Sequence, residues 1–337
     1  GLAGTSASCA QRPTRVRTRH RSASMQVSIE KDVAERAGLA GVVELLRNAL
    51  RARKEEAVVG GSGGAGGAKE VSTDHPGTIG FEQVDLNVPL HAPWRKAMRL
   101  LGFLSPEECR ALIDYSERCG YESLAEVYDP SYRSNTRVMV DSDELAALLW
   151  ERLQLLLPAG ASHFVYHKRK RHGRREEEGK EPAPTSSLVA CGMNARMRFC
   201  RYAEAGDKFN PHRDAHYVDH EGGRTSRWTF MIYLNDVDAD AGGATAFLDS
   251  ELKATVVVQP LAGSVLCFDH DMLHCGAPLA RAEPKYLMRT DVMFREGTRE
   301  ELDAARTAAA ETPASAAAAE ASDGGAAAGV EGASALE

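Results

Sequence analysis

The sequence predicts a mainly β domain with flanking helices, in which antiparallel strands form a sandwich or barrel. Three observations lead to this fold class. From about residue 196 the chain runs through short segments of β pattern, glycines and prolines separate these segments, and no helical crossover lies between them. Strands are expected at residues 196–201, 228–234, 254–258, 264–268 and 285–294.

Three predicted helices precede the β region, and one last helical stretch is expected after Gly297. Residues 30–59 are expected to form an isolated amphipathic helix, because apolar residues recur there at helical spacing. Packing of this apolar face is the favoured use, and binding of another molecule is the alternative. The apolar residues are Leu39, Val42, Val43, Leu46 and Leu50.

Two further helices carry start signals. Ser105 as N-cap, a proline at the first position and Glu108 at the third form a capping box, so a helix should run from here to Gly120. A second helix is expected to start at Asp141 and to stop before Pro158.

Composition divides the rest of the chain. Residues 1–29 have no acidic residue and carry arginines among serine, threonine and alanine, which is typical of an organellar transit segment or of a disordered arm. Residues 60–80 read as a glycine-rich linker and 81–297 as the main domain, with a charged insertion at 167–187 interpreted as a solvated loop. Residues 298–337 form a low-complexity Ala/Gly/Glu tail.

Charge and cysteine content exclude several classes of protein. The net charge of −7 over 337 residues gives no strong nucleic-acid signal. The sequence contains no run of about 18 apolar residues, so no transmembrane segment is predicted. The seven cysteines are scattered and form no C-x-x-C pair, which favours reduced thiols over a disulfide framework or a zinc site. The compartment stays open between a chloroplast or mitochondrion and the cytoplasm or nucleus.

His212, Asp214 and His274 are a candidate metal site. Two imidazoles and one carboxylate form the facial triad of non-haem Fe(II) proteins, which leaves open positions on the metal. Residues i and i+2 of an extended strand project to the same face, so His212 and Asp214 can reach one ion together. His274 lies far along the chain and has to come from another strand.

The same region carries several motifs in a fixed order, from about Gly102 to Phe294. This order resembles the 2-oxoglutarate/Fe(II)-dependent dioxygenases, specifically their prolyl 4-hydroxylase-like catalytic domain. The resemblance implies a double-stranded β-helix, also called a jelly roll or cupin-like fold. The motifs are Tyr202-x3-Gly206-x2-Phe209-x2-His212-x-Asp214, Thr229 with Tyr233-Leu234-Asn235-Asp236, Gly242-Gly243-x-Thr245-x-Phe247, Pro260-x2-Gly263-x2-Leu266-x-Phe268, His274-x-Gly276-x-Pro278 and Lys285.

The resemblance also implies an activity and its cofactors. Fe(2+) held by the His-Asp-His set, 2-oxoglutarate as co-substrate and O2 would hydroxylate a C–H bond, with succinate and CO2 as co-products and L-ascorbate as the reductant that rescues oxidised iron. Lys285 is expected to hold the distal carboxylate of the co-substrate, and Arg289 on the same strand face is the alternative. Tyr202, Tyr233 and Thr229 are further expected contacts of the co-substrate.

The substrate is the least determined part of this prediction. A protein side chain such as proline is favoured by the resemblance alone. A small-molecule or nucleobase oxygenase on the same scaffold is the alternative, and a non-catalytic jelly-roll binding module is the third hypothesis.

Other polar residues near these motifs are given structural roles. His270 is interpreted as a turn residue or as a support behind the metal ligands, and Cys275 as pointing away from the metal. Arg133 and Arg137 are interpreted as salt-bridge partners rather than as parts of a site.

Overall fold

The protein is described here by a computed structural model that covers residues 38–55, 83–85, 97–156, 165–168 and 186–303. The helices are α1 (residues 38–55), α2 (Pro106–Cys119) and α3 (Asp143–Leu156), and residues 299–303 add a short helical segment. Among these residues no helix is both long and apolar enough to cross a bilayer. The strands are β1 (Gln83–Asp85), β2 (Ala97–Leu100), β3 (Thr136–Asp141), β4 (Val165–Lys168), β5 (Ser186–Met193), β6 (Arg196–Tyr202), β7 (Phe209–His212), β8 (Val218–Asp219), β9 (Arg224–Tyr233), β10 (Thr245–Leu248), β11 (Ala254–Val258), β12 (Val265–Asp269), β13 (His274–Gly276) and β14 (Lys285–Glu296).

Two antiparallel sheets form the domain, which confirms the predicted jelly-roll class. The large sheet has the strand order β1-β2-β12-β9-β14-β5-β4, with β6 and β3 added beside β14, and β8 beside β9. The small sheet has the order β11-β10-β13-β7. All pairings among the described strands are antiparallel.

Both faces of the large sheet are buried, and successive side chains along its strands point alternately to two cores. Phe199, Phe230 and Phe294 point to the outer core, which the helices cover. Tyr202 and Tyr233 point to the inner core, between the two sheets. Burial of each such ring stabilises the fold by about 2–3 kcal/mol. The alternation therefore separates an apolar face that holds the helices from an inner face that can carry a site.

Helix α2 begins as predicted, because its capping box is complete. The Ser105 hydroxyl accepts from the backbone N–H of Glu108, and the Glu108 carboxylate accepts from the N–H of Ser105. The prediction for α3 was two residues early. Asp141 ends β3 and pairs with Arg196 at 2.9 Å, while the hydroxyl of Ser142 caps the helix.

Helix α1 is not isolated, which corrects the expectation for residues 30–59. Val42, Val43, Leu46 and Leu50 are buried in the outer core. The backbone carbonyl of Leu46 also accepts a hydrogen bond from the buried guanidinium of Arg152 on α3. The structure therefore gives the apolar face the packing role that the sequence favoured.

Of the remaining predicted segments, the structure describes only parts. The ends of the charged insertion form β4 and β5, which pair with each other, so residues 167–168 and 186–187 belong to strands. The arm at 1–29, the linker at 60–80 and most of the tail lie outside the described residues. The six described cysteines form no disulfide bond with one another.

Candidate metal centre and co-substrate pocket

The two histidines of the candidate triad come from paired strands of the small sheet. His212 is the last residue of β7 and His274 the first of β13, and the two face each other in the register. Their ring centroids lie 4.2 Å apart. Asp214 lies beyond the end of β7, so the strand reason given for the His-x-Asp spacing was incomplete. A backbone hydrogen bond from Asp214 to the carbonyl of His270, at 3.0 Å, holds the loop in place.

The side chains of these three residues converge on one point. Nε2 of His212 lies 3.7 Å from Oδ1 of Asp214, and Nε2 of His274 lies 3.7 Å from Oδ2. Each ring uses Nδ1 on a backbone carbonyl, that of Asn210 at 2.8 Å and that of Met272 at 3.0 Å. Because a neutral ring with a donating Nδ1–H carries its lone pair on Nε2, both Nε2 atoms can act as metal ligands.

The electrostatics of this cluster favour the protonation states that bind metals. Burial, together with the neighbouring His274, lowers the pKa of His212 to about 3. Burial also lowers the pKa of His274. Burial alone would raise the pKa of Asp214, but the charge of Arg289 and the two imidazoles outweigh it, so the pKa lies below its usual range. Two neutral imidazoles and an ionised carboxylate are a donor set that fits Fe(II).

Arg289 and Thr229 both contact the carboxylate of Asp214. Nη1 of Arg289 lies 2.8 Å from Oδ1, and its Nη2 lies 3.1 Å from Asp291. The hydroxyl of Thr229 donates to Oδ2. Both residues were expected to contact the co-substrate, yet the structure places their polar atoms at the metal end of the site.

Lys285 occupies the other end, in the inner core. It is 1% exposed, and its Nζ donates to the carbonyl of Gly243 at 2.5 Å. The ammonium also lies over the rings of Tyr202 and Tyr233, at 4.9 and 5.7 Å from their centroids. Within the described residues Lys285 has no carboxylate partner, and burial lowers its pKa to about 8.

Thr245 also lines the Lys285 end of the cavity, and no role was predicted for it from the sequence. The hydroxyl of Tyr233 donates to that of Thr245 at 2.7 Å. The Gly242-Gly243-x-Thr245 motif was the available signal. Gly243 has a φ of +67°, and a Cβ there would lie 2.8 Å from Leu279. Glycine is therefore required where the backbone carbonyl turns towards Lys285.

One cavity of about 340 Å³ joins the two ends. The metal cluster, Lys285, Tyr202 and Thr229 all line it. Phe209 closes one side and stacks on His212, with centroids 3.6 Å apart. The wall also includes Tyr128, Tyr132, Arg133, Arg137, Arg198 and Arg213.

The structure also places the residues near the site that were given structural roles from the sequence. His270 is fully buried and supports the ligands through its backbone carbonyl, as one of its two interpretations held. The salt-bridge interpretation of Arg133 and Arg137 was wrong, because within the described residues neither forms an ion pair with a carboxylate. Cys275 is not among the described residues that line the cavity.

Part of the chain is similar to known proteins. Residues 197–290, which include the triad and Lys285, match the model of the 2OG-Fe(II) oxygenase superfamily. No curated protein sequence matches the chain. Among solved structures, a Pseudomonas putida prolyl-4-hydroxylase matches with 17% identity and a TM-score of 0.38, over 65% of this chain and 95% of its own.

Two further solved structures are similar to the same extent. The viral collagen prolyl hydroxylase of Paramecium bursaria Chlorella virus-1 has 17% identity and a TM-score of 0.35, over 65% of this chain and 97% of its own. A Trichoplax adhaerens prolyl hydroxylase in complex with a hypoxia inducible factor peptide has 17% identity and a TM-score of 0.37, over 64% and 84%.

Proposed function

Since residues 197–290 match the model of the 2OG-Fe(II) oxygenase superfamily, we propose that this protein is a 2-oxoglutarate-dependent dioxygenase that hydroxylates a C–H bond. Succinate and CO2 would be the co-products. One observation carries the proposal: His212, Asp214 and His274 converge in the same cavity as the buried Lys285, which has no carboxylate partner among the described residues. Bound Fe(II) would supply the activation of O2 by the co-substrate.

The metal-binding role falls to the three triad residues. The carbonyls of Asn210 and Met272 orient the imidazoles through Nδ1. Thr229 and Arg289 fix the rotamer of Asp214. Supports of this kind hold ligands in a binding arrangement before the ion arrives, which lowers the entropic cost of metal binding.

Lys285 is proposed to bind the distal carboxylate of 2-oxoglutarate. A carboxylate in the cavity would provide the opposite charge that the ammonium lacks, and the hydroxyl of Thr245 could donate a second hydrogen bond. Tyr202 lines the cavity beside Lys285, while Tyr233 acts through Thr245. Arg289 is the weaker candidate because Asp214 and Asp291 already neutralise it.

A protein side chain such as proline is the proposed substrate. The second candidate is a small molecule, because the triad side chains are at most 10% exposed and only a narrow group can reach them. The proline ring satisfies the same restriction. L-ascorbate as reductant stays a prediction from the family resemblance.

The experiment that tests the enzyme proposal is an anaerobic titration of the full chain with Fe(II) and 2-oxoglutarate. We expect a weak visible charge-transfer band, which reports chelation of the metal by the 2-oxo acid. The His212→Ala variant should lose the band because one of three ligands is missing. Calorimetric measurement of 2-oxoglutarate binding in the same samples gives a readout that does not depend on turnover.

The control is Asp240→Ala, which removes an exposed carboxylate that does not line the cavity and should keep the band. Circular dichroism would establish that all variants are folded. A folded wild-type protein without the band would refute the proposed function.

A further inference from the structure

The cavity carries much more positive than negative charge. Six cationic side chains line it, and Asp214 is the single acidic residue among the described lining residues. Three of the cations have roles or partners. Lys285 is assigned to the co-substrate, Arg289 binds Asp214 and Asp291, and Arg198 binds Asp291 at 3.2 Å. Arg133, Arg137 and Arg213 remain without a carboxylate in the described part of the chain.

Arg133 is the most unusual of these residues because it is only 8% exposed. Its Nε donates to the side-chain oxygen of Asn135 at 2.8 Å, and its Nη2 lies 3.7 Å from the sulfur of Cys200. The amide is neutral, and a thiol is a weak acceptor. Arginine keeps its charge in proteins, so this is a buried cation with no opposite charge, which is unfavourable in the ligand-free state.

Arg137 brings a second cation to the same wall. It is half-buried on β3, and burial together with the neighbouring Arg133 lowers its pKa. Arg198 adds to the same effect from the next strand, β6. Both guanidinium groups thus line one cavity without an acidic partner among the described residues, and each would be stabilised by an anion bound there.

The two arginines lie close to the metal ligands. The guanidinium of Arg133 packs over the ring of Phe209, with Cζ 4.1 Å from the ring centroid, and the same ring stacks on His212. A β-bridge joins Arg133 to Phe209, so β7 fixes their relative positions. Tyr128 covers the guanidinium at 5.3 Å, which adds an aromatic wall on the solvent side.

We propose that the substrate carries an oxyanion, a carboxylate or a phosphate, that binds Arg133 and Arg137 while the neighbouring C–H group faces the metal triad. This inference rests on the proposed function and names its substrate class. The planar guanidinium can bind either oxyanion through two parallel hydrogen bonds. On a peptide, the anion would come from an acidic or phosphorylated residue beside the hydroxylated side chain.

The experiment compares three pentapeptides in anaerobic calorimetry with the Fe(II)- and 2-oxoglutarate-loaded protein. They are acetyl-Ala-Glu-Pro-Glu-Ala-amide, the same peptide with glutamines, and the same peptide with phosphoserines. The glutamate peptide should bind about tenfold more tightly than the glutamine peptide, because charge-assisted hydrogen bonds are stronger than neutral ones. Tighter binding of the phosphoserine peptide would assign phosphate as the anion, and weaker binding would assign carboxylate.

The Arg137→Gln variant should reduce the preference for the acidic peptide to less than about threefold, and Arg133→Gln should act in the same direction. Arg281→Gln is the matched control. It removes the same charge from an exposed residue paired with Asp240 and Glu283, outside the cavity, and should keep the preference.

Equal binding of the glutamate and glutamine peptides, or no binding of any of them, would overturn the inference. An equal loss of preference in Arg281→Gln would do the same, because the effect would then be one of net charge. If Arg137→Gln weakens 2-oxoglutarate as much as the acidic peptide, the arginines serve the co-substrate instead. In all these cases an intact charge-transfer band would leave the proposed function standing.

Discussion

The two ends of the cavity are stabilised in different ways. At the metal end the ligands are held by other groups of the protein: each imidazole donates to a backbone carbonyl, and Asp214 accepts from Thr229 and pairs with Arg289. At the other end Lys285 has a carbonyl and two aromatic rings near its ammonium but no carboxylate among the described residues.

The two ends of the cavity therefore represent two kinds of binding site, one preorganised and one with an uncompensated charge. The metal end is preorganised, because folding alone orients its ligands and little order is left for the ion to impose. The Lys285 end leaves the charge of a buried ammonium uncompensated, and a carboxylate ligand removes that cost when it binds. Removal of a group should therefore affect the metal at one end and the co-substrate at the other.

Replacement of Lys285 should give the largest effect on the co-substrate. We expect Lys285→Ala to raise the dissociation constant of 2-oxoglutarate up to about a hundredfold, because a hydrogen bond to a charged group contributes about 1.5–3 kcal/mol. Lys285→Arg should recover part of the affinity. Anaerobic calorimetry with the Fe(II)-loaded protein measures both.

Arg289→Gln is the comparison for this prediction. Because Arg289 contacts Asp214, its loss should weaken Fe(II) binding and change 2-oxoglutarate affinity by less than about threefold at saturating metal. A larger loss of co-substrate affinity in Arg289→Gln than in Lys285→Ala would reverse the two assignments.

The pH dependence of co-substrate binding should give the next largest effect. Lys285 must be protonated to pair with a carboxylate, and its pKa of about 8 lies in an accessible range. The dissociation constant of 2-oxoglutarate should therefore be constant below about pH 7 and rise about tenfold by pH 9, as the protonated fraction falls.

The other groups around the ammonium do not interfere with this titration. Tyr202 and Tyr233 face it, and burial raises the pKa of both hydroxyls. Burial likewise raises the pKa of Cys275, while Cys200 also lies nearby. Lys285→Arg separates their contribution, because arginine stays protonated and should give a flat profile. A profile in Lys285→Arg that rises like that of the wild type would exclude Lys285 as the titrating group.

The long strands of the large sheet were predictable from sequence, because both of their faces are buried and each face has its own core. In β14, Leu287 lies in the inner core while Met288 and Val292 lie in the outer core, so strand alternation places Lys285 and Arg289 on one face. In the small sheet, β11 was predicted with the bounds that the structure shows, whereas β7, β10 and β13 were not among the expected strands. These three strands span three or four residues, and β7 contains Pro211 while β13 ends at Gly276, so their local pattern is too short to indicate a strand.

The site shows the same division between pattern and context. The triad of His212, Asp214 and His274 was proposed from its own spacing together with the order of the surrounding motifs. The partners of Arg289 were not predictable. Lys285 and Arg289 share one strand face, and the one that contacts Asp214 is decided by how a distant loop places that carboxylate. The role of Arg133 was misread for the same reason: sequence gives the charge of a residue but not whether a carboxylate lies beside it.

Two buried threonines allow the smallest and most specific test of the difference between the ends. Thr229 donates to Asp214 at the metal end, and Thr245 accepts from Tyr233 at the Lys285 end. Valine has nearly the same shape as threonine and lacks the hydroxyl. Thr229→Val should weaken Fe(II) binding about fivefold and leave 2-oxoglutarate affinity unchanged, since one hydrogen bond contributes about 1 kcal/mol. Thr245→Val should do the reverse, and if both variants weakened the same ligand, the two ends would not be independent.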